Sequence, residues 1–346
     1  MKVLGWLVLV GLMVGCRTAP ETEEAPAEEL EAPEKREEGE VDEEIVLPEG
    51  FDVQGHRGAR GLSPENTLPS LEVALDLLVD TLEIDFHLSA DDWVVAWHDP
   101  YLDASLCRVP EGEEGLPDPD ELPPMHEDLR VRSLTAEQLS RYICDRNPDV
   151  ERFPDQAALP TELAGDEFRI VTLEEIFEFV AEYAESPEKT AEQRENAARV
   201  MFNLETKRVE DRPDFIDDGF DGEEPGVFER QFVEAVEAHG MEERVMLQSF
   251  DHRSLWAARS IAPWLTLVAL DREIETPFEE FRDRGVSVWS PRARLVTEET
   301  VAAAQDAGLQ VIPWTVNDPA EMERLIRLGV DGIITDRPDL LVVYRR

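Results

Sequence analysis

The chain has 346 residues, of which 79 are Asp or Glu and 33 are Lys or Arg, so its formal net charge is −46. Nucleic-acid phosphates and bare anionic membranes repel so acidic a surface, which excludes nucleic acid as a partner. The roughly 300 residues that follow the N-terminal region suffice for one large domain around a single core.

The first 15 residues are predicted to be a signal peptide. A basic start is followed by an apolar run from Val3 to Val14, which is too short to cross a bilayer as a mature helix. The small residues before Cys16 resemble the lipobox of bacterial lipoproteins, which implies cleavage after residue 15 and lipidation of the Cys16 thiol. Arg17 favours the outer membrane, facing the periplasm or the surface. The alternative is a secreted protein that is cleaved nearby.

Residues 16–46 are predicted to be a disordered tether. From Thr18 to Glu44 the sequence is dominated by Glu, Ala and Pro and has almost no large apolar residues. Such a segment cannot bury enough surface to fold, and its charges repel one another. We therefore expect an acidic tether between the lipid and a folded domain at residues 47–346.

The folded region alternates between apolar runs of strand length and helical patterns. The predicted strands are residues 51–55, 81–86, 200–205, 245–249, 265–270, 286–290, 309–315 and 332–335, with an added hairpin arm at 93–97. The predicted helices are residues 67–79, 172–184, 226–239, 252–260, 277–284, 297–307 and 319–328. Eight such units predict a closed (β/α)₈ TIM barrel. An open doubly wound sheet is the alternative, but no Gly-rich dinucleotide or Walker loop supports it.

Residues 103–165 interrupt this alternation after the second strand and are rich in Pro, Glu and Asp. They contain Cys107 and Cys144, which form an even pair if lipid occupies Cys16. In an exported protein such a pair favours a disulfide, with two separate thiols as the alternative. We interpret this segment as an insertion that the cysteine pair holds together.

Polar side chains recur where the predicted strands end, and in a barrel these ends meet at one face. They are His56, Arg57, Glu83, Asp85, Glu205, Lys207, Gln248, Trp289, Trp314, Asn317 and Asp336. Glu83 and Asp85 lie on one side of a strand, and Glu205 follows on the next parallel strand. Three carboxylates without a cysteine cluster favour Ca²⁺ or Mg²⁺ over zinc. The alternative, that these acids simply face solvent, conflicts with the apolar residues that alternate with them.

These motifs, in this order, resemble the glycerophosphodiester phosphodiesterase family. The resemblance is carried by residues 56–59 (His-Arg-Gly-Ala), 64–67 (Pro-Glu-Asn-Thr), 83–85, 98–99 (His-Asp), 205–207, 248–250 (Gln-Ser-Phe), 314–317 (Trp-Thr-Val-Asn) and 335–338 (Thr-Asp-Arg-Pro). It spans residues 53–340 and implies a (β/α)₈ barrel with an insertion after the second strand. Residues 98–103 and the long insertion that follows resemble the periplasmic branch.

The resemblance also implies roles for individual residues. His56 and His98 would be the acid–base pair, in either assignment. One would deprotonate the glycerol hydroxyl next to the phosphate, and the other would protonate the departing alcohol, so that a cyclic phosphate forms and is then hydrolysed. The metal ligands would be Glu83, Asp85 and Glu205. Arg57 and Lys207 would stabilise charge on the phosphoryl oxygens.

Other residues have two possible roles. Gln248, Trp289 and Trp314 are candidates for the substrate cleft, with packing at the top of the barrel as the alternative. We expect Glu65 to fix the loop before the first helix, with contact to the surroundings of the metal as the alternative. We expect His87 to support the metal ligands or to be purely structural, with metal binding as the alternative.

The predicted function is metal-dependent hydrolysis of glycerophosphodiesters to sn-glycerol 3-phosphate and an alcohol. One alternative is a phospholipase D-like lyase that acts on lysolipids or sphingomyelin. Another is a catalytically inactive binding lipoprotein, which the completeness of the predicted site disfavours.

Overall fold

A computed structural model describes residues 45–345. The strands of this region are β1 Asp52–His56, β2 Thr81–Leu88, β3 Val94–Ala96, β4 Met201–Thr206, β5 Val245–Ser249, β6 Thr266–Asp271, β7 Val286–Pro291, β8 Gln310–Val311 and β9 Gly332–Thr335. Its α-helices are α1 Leu68–Asp76, α2 Ala136–Leu139, α3 Leu173–Glu185, α4 Ala191–Ala197, α5 Val227–Ala238, α6 His252–Ile261, α7 Phe278–Asp283, α8 Glu298–Asp306, α9 Pro319–Arg327 and α10 Pro338–Leu341. None of the helices within residues 45–345 has the length and apolar character needed to span a membrane.

Eight of these strands run parallel in the order β8-β7-β6-β5-β4-β2-β1-β9, and β3 pairs antiparallel with β2. Backbone hydrogen bonds join the two ends of this order. The Asp331 N–H donates to the Val311 carbonyl at 2.9 Å, and the Val316 N–H donates to the Ile334 carbonyl at 3.0 Å. The predicted (β/α)₈ barrel is therefore confirmed, with the insertion between β2 and β4.

Besides the two short helices α2 and α10, which are not among the predicted helices, two differences from the predicted elements have a clear physical reason. Of the predicted strand 309–315, only β8 pairs regularly with a neighbouring strand, because Pro313 has no backbone N–H to donate to that strand. Helix α4 was not predicted, because its sequence AEQRENA shows no apolar periodicity. A capping box formed by Thr190 and Gln193 starts this helix, and the buried Asn196 fixes its far end through a 2.8 Å bond to the Val79 carbonyl.

Successive side chains of β2 alternate between the hydrophobic core and the interior of the barrel, where the site residues lie. Leu82, Ile84 and Phe86 point outward and belong to the main hydrophobic core between the strands and the surrounding helices. Glu83 and Asp85 point into the barrel and are also buried. A second apolar cluster of Met246, Val268, Val288, Ile312 and Ile334 fills another part of the strands' inner surface. The barrel interior is thus packed rather than open.

The segment between β3 and α3 forms a lobe with a small core of its own. A disulfide joins Cys107 to Cys144. The buried residues around it are Val95, Trp97, Leu102, Leu129, Val131, Leu134, Leu139, Tyr142 and Ile170. With little regular structure, the lobe depends on this cluster and on the cross-link.

The predicted signal peptide, Cys16 and nearly all of the tether lie outside the described residues. Ile45 and Leu47 pack against the core, and the Leu47 N–H donates to the Tyr344 carbonyl at 2.9 Å. The packed domain therefore includes Ile45, two residues before the expected boundary.

We predict that the unreduced, unfolded Cys16→Ser chain contains no free thiol when it is titrated with a thiol reagent. Replacing Cys107 and Cys144 together by Ser should lower the free energy of unfolding by about 2–4 kcal/mol, because a 37-residue separation is no longer closed in the unfolded chain. Two free thiols in the Cys16→Ser chain would contradict the disulfide between Cys107 and Cys144.

Candidate active site

A cavity of about 430 Å³ opens at the face where the carboxyl ends of the strands meet. It is lined by residues from the barrel and from the lobe. Of the residues predicted for the site, those that line it are His56, Arg57, Glu83, His98, Glu205, Lys207, Gln248 and Trp314. Asp85 is fully buried beside them.

The turn after β1 places the first group of site residues. A Cβ on Gly55 would lie 2.3 Å from the Gly58 carbonyl oxygen, so this tight turn requires glycine. Arg57 has a φ of 53°, a left-handed conformation that costs a non-glycine residue about 1 kcal/mol. In this conformation its N–H donates to Glu83 Oε2 at 3.0 Å. The strained turn therefore orients a carboxylate on the neighbouring strand.

The turn before α1 places a second carboxylate. Asn66 also adopts a left-handed φ of 55°, which Asn tolerates better than most residues. Its amide donates to Asp85 Oδ2 at 3.1 Å and accepts the Asp85 N–H at 3.3 Å. The sequence motif Pro-Glu-Asn-Thr thus acts through Asn66 on Asp85.

Glu83, Asp85 and Glu205 form a buried cluster in which one oxygen of each lies within 4.8 Å of the others. Burial and the two neighbouring carboxylates raise the pKa of Glu83 well above its usual range. Burial raises the pKa of Glu205 to about 7 although Lys207 opposes it. Burial alone would also raise the pKa of Asp85, but Arg57 and Lys207 hold it well below its usual range.

Two cations offset part of this charge. Lys207 Nζ lies 2.6 Å from Glu205 Oε1 and 3.1 Å from Asp85 Oδ1. Arg57 Nε lies 2.9 Å from Asp85 Oδ2, and its Nη1 lies 2.5 Å from Glu65 Oε1. Glu65 is buried and also pairs with Arg60, so it holds the loop arginines as expected.

The donor set fits a hard divalent cation. All three members of the cluster offer carboxylate oxygens, the ligands that Ca²⁺ and Mg²⁺ prefer. Burial, together with the neighbouring carboxylates, raises the pKa values of Glu83 and Glu205 in spite of Arg57 and Lys207, so ionising all three carboxylates at once costs free energy. A divalent cation would lower this cost.

Each of the two predicted histidines is oriented by an aspartate through its Nδ1 atom. His56 Nδ1 lies 2.5 Å from Asp336 Oδ1, and His98 Nδ1 lies 2.7 Å from Asp99 Oδ1. His56 and Arg60 hold the pKa of the buried Asp336 well below its usual range, although burial opposes them. Because Asp336 is ionised, the His56 proton lies on Nδ1 and the Nε2 atom is free to exchange protons.

Burial lowers the pKa of His56 to about 4 even though Asp336 raises it. Burial also lowers the pKa of His98, and the nearby Arg57 and Lys207 add to this effect. Both imidazoles are therefore neutral near pH 7 and can accept a proton.

A chain of amides inside the barrel ends on the acidic cluster. Asn203 Nδ2 donates to Gln54 Oε1 at 2.8 Å and to Gln248 Oε1 at 3.0 Å. Gln248 Nε2 donates in turn to Glu83 Oε1 at 2.6 Å. Gln248 lines the cavity, but its amide is committed to orienting Glu83.

Of the remaining predicted residues, one lines the cavity and two are buried in the packing around it. Trp314 lines the cavity, and its indole N–H donates to the Ser290 carbonyl at 2.9 Å. Trp289 is fully buried and donates to Asp271 Oδ2, so packing is its role. His87 is buried with its ring nitrogens 3.1 Å from the His98 carbonyl and 3.2 Å from the Phe215 carbonyl. It therefore supports the backbone that carries His98.

Asp336 had no assigned role in the sequence interpretation. The topology could have indicated it, because β1 and β9 are neighbours in a closed barrel. Gly55 lies opposite Thr335, so the residues that follow, His56 and Asp336, also come close to each other. Arg60, which donates to Asp336 at 2.9 Å and lies over the ring of Phe153, was also missed. Phe153 belongs to the insertion, whose sequence carries no periodic pattern that could place it.

Comparison with known proteins identifies the family. The profile of the glycerophosphoryl diester phosphodiesterase family matches residues 56–340. A glycerophosphodiester phosphodiesterase of Caldanaerobacter subterraneus is 27% identical over 292 residues, which cover 84% of this chain and 96% of the relative. A glycerophosphodiester phosphodiesterase of Bacillus subtilis is 25% identical, with 86% and 87% of the two chains covered.

Solved structures agree with this result. A Silicibacter pomeroyi protein assigned as a glycerophosphoryl diester phosphodiesterase has a TM-score of 0.67 at 27% identity, with 86% of this chain and 94% of that chain covered. An Oleispira antarctica phosphodiesterase, solved with the product sn-glycerol-3-phosphate, shares the fold with a TM-score of 0.60 at 20% identity and 86% and 96% coverage. The chain therefore belongs to the glycerophosphoryl diester phosphodiesterase family, and it is an enzyme.

Proposed function

We propose that the protein hydrolyses glycerophosphodiesters to sn-glycerol 3-phosphate and an alcohol, and that it needs a divalent cation to do so. The observation that carries this proposal is the shared cavity of two aspartate-bound histidines and a buried carboxylate cluster. The names of the curated relatives support the substrate class.

The two histidines divide the proton transfers. One imidazole accepts the proton of the glycerol hydroxyl next to the phosphate, and that oxygen attacks phosphorus. The bond from phosphorus to the alcohol oxygen breaks, and the departing alcohol takes a proton from the second histidine, which must have taken up that proton on Nε2 from solvent before this step. The resulting five-membered cyclic phosphate is then opened by water to give sn-glycerol 3-phosphate. Both Nε2 atoms are suited to this work because Asp336 and Asp99 occupy the Nδ1 atoms.

The charged residues bind the phosphoryl group. A Ca²⁺ or Mg²⁺ ion held by Glu83, Asp85 and Glu205 would supply positive charge to the phosphoryl oxygens. Arg57 and Lys207 line the same cavity and would supply N–H donors beside it. Because these two cations already contact the carboxylates, their positions are fixed before the substrate arrives.

The test is release of glycerol 3-phosphate from glycerophosphocholine by the purified enzyme. We expect EDTA to abolish the release and either Ca²⁺ or Mg²⁺ to restore it, because the uncompensated carboxylates repel the phosphate without a metal. Full activity after complete metal removal would contradict metal dependence. No release from any glycerophosphodiester with either metal would contradict the substrate class.

Asp336→Asn should lower kcat by about 10- to 1,000-fold, because the asparagine amide can donate to Nδ1 and thereby favour the wrong tautomer of His56. The fold should survive, as measured by circular dichroism and thermal unfolding. Asp339→Asn is the matched control, since Asp339 pairs with Arg337 outside the cavity. Equal kcat values for the two variants would remove Asp336 from the mechanism.

A second candidate activity is the phospholipase D-like cleavage of lysolipids. An apolar cavity of about 450 Å³ between the lobe and the segment that follows β4 shares Asp99 and Asp103 with the catalytic cavity. Its walls include Tyr101, Leu122 and Phe215, which could receive an acyl chain. A mouse lysophospholipase D is 23% identical over 83% of both chains. Assays with lysophosphatidylcholine test this activity. If the enzyme turns over lysophosphatidylcholine several orders of magnitude more slowly than glycerophosphocholine, the lysolipid activity is rejected.

We also propose that the enzyme is an exported lipoprotein of the periplasmic type, anchored through Cys16 and the tether at residues 16–46. The signal-like start, the cysteine after Gly15 and the disulfide of the lobe support this proposal. In cells, Cys16→Ser should move the enzyme from the membrane fraction to the soluble fraction. An unchanged membrane fraction would contradict the anchor.

A further inference from the structure

Two arginines stand on one wall of the catalytic cavity. Arg272 follows β6 and Arg292 follows β7, and both line the cavity that contains His56 and His98. The strands pair with Asp271 opposite Pro291, and the Arg292 N–H donates to the Asp271 carbonyl at 3.0 Å. The two arginines therefore leave neighbouring strands side by side.

Aromatic rings support both guanidinium groups. The guanidinium carbon of Arg272 lies 3.9 Å from the ring centre of Phe250, and that of Arg292 lies 5.4 Å from the ring centre of Trp314. The two rings pack edge to face with their centres 5.3 Å apart. The Trp314 indole N–H is fixed by the Ser290 carbonyl. Stacking of this kind limits the orientation of an arginine without using its N–H donors.

Neither guanidinium forms an ion pair or a hydrogen bond with any residue between 45 and 345. The neighbouring acids are occupied: Glu273 pairs with Arg294, and Asp271 accepts the indole N–H of Trp289. Most of the other arginines in residues 45–345 donate either to a carboxylate or to a backbone carbonyl, as Arg294 and Arg259 do. The mutual repulsion of the two cavity arginines would fall when an anion bridges them.

We propose that Arg272 and Arg292 form a second anion subsite, which binds a phosphate group on the leaving alcohol of the substrate. This inference rests on the proposed function, because the scissile phosphate is assigned to the histidines, Arg57 and Lys207. The glycerol half of the substrate carries no further charge, so a second anion belongs to the alcohol.

The lobe contributes three carboxylates to the lining of the same cavity. They belong to Asp99, Asp103 and Asp149. Their oxygens accept hydrogen bonds locally, from His98, from the Ser105 N–H and from the Arg152 N–H. Arg152 of the lobe also lines the cavity and offsets part of this charge, but the net charge of these lobe residues is negative, which disfavours a second phosphate beside them and favours its binding at Arg272 and Arg292.

The test compares two substrates that differ by one glycerophosphoryl group, which carries the second phosphate. They are glycerophosphoglycerol and bis(glycerophospho)glycerol, the deacylated forms of phosphatidylglycerol and cardiolipin. Initial release of glycerol 3-phosphate is measured with either metal present. After correction for the two equivalent ends of the larger substrate, we expect it to have a KM about tenfold lower, with a similar kcat. This preference should weaken as salt increases.

The Arg272→Gln/Arg292→Gln variant should raise the KM for bis(glycerophospho)glycerol about tenfold and leave both constants for glycerophosphoglycerol unchanged. Arg282→Gln/Arg327→Gln is the matched control, because it removes the same charge from exposed ion pairs with Asp283 and Glu323. Equal effects of both double variants, or no change in the ratio of the two KM values, would overturn the subsite. Failure of the wild type on both substrates would instead overturn the proposed function.

Discussion

The buried carboxylates at the top of the barrel are the constraint on which the rest of the site depends. Glu83, Asp85 and Glu205 lie close together and away from water, where like charges repel strongly. The protein offsets this cost with Lys207 and Arg57 and with donors from a backbone turn and two amides. Three carboxylates held this close together and this deeply buried could hold a cation, which would lower the free-energy cost of ionising them together.

Closure of the barrel joins this charge cluster to the acid–base chemistry. His56 lies at the end of β1, which pairs with β2 on one side and with β9 on the other. Strand β2 carries Glu83, whose Oε2 lies 3.8 Å from His56 Nε2. Strand β9 is followed by Asp336, whose Oδ1 forms a hydrogen bond with His56 Nδ1. The same imidazole therefore connects a carboxylate that orients it with a carboxylate of the proposed metal site. Neither contact would survive a slip of the strand register.

The sequence allowed the barrel and the charged centre to be predicted for different reasons. The strands are short apolar runs between amphipathic helices, so their period identifies them, and α4 was missed because AEQRENA has no such period. Glu83 and Asp85 could be placed on one face because side chains alternate along a strand. The pairing of His56 with Asp336 depends on strands far apart in sequence, and the neighbouring positions of Arg272 and Arg292 depend on the register of β6 and β7. Phe153 and Arg152 reach the cavity from a lobe without periodicity, which sequence patterns cannot orient.

The most direct test of the account is a titration of the metal-stripped enzyme with Mn²⁺, a paramagnetic substitute that accepts the same oxygen ligands. Electron paramagnetic resonance should detect one saturable site per chain in the wild type. Glu83→Gln should lose this site, whereas Glu188→Gln, which removes an exposed charge outside the cluster, should retain it. Only weak, unsaturable binding in the wild type, or an intact site in Glu83→Gln, would contradict the assignment of the carboxylate cluster as the metal site.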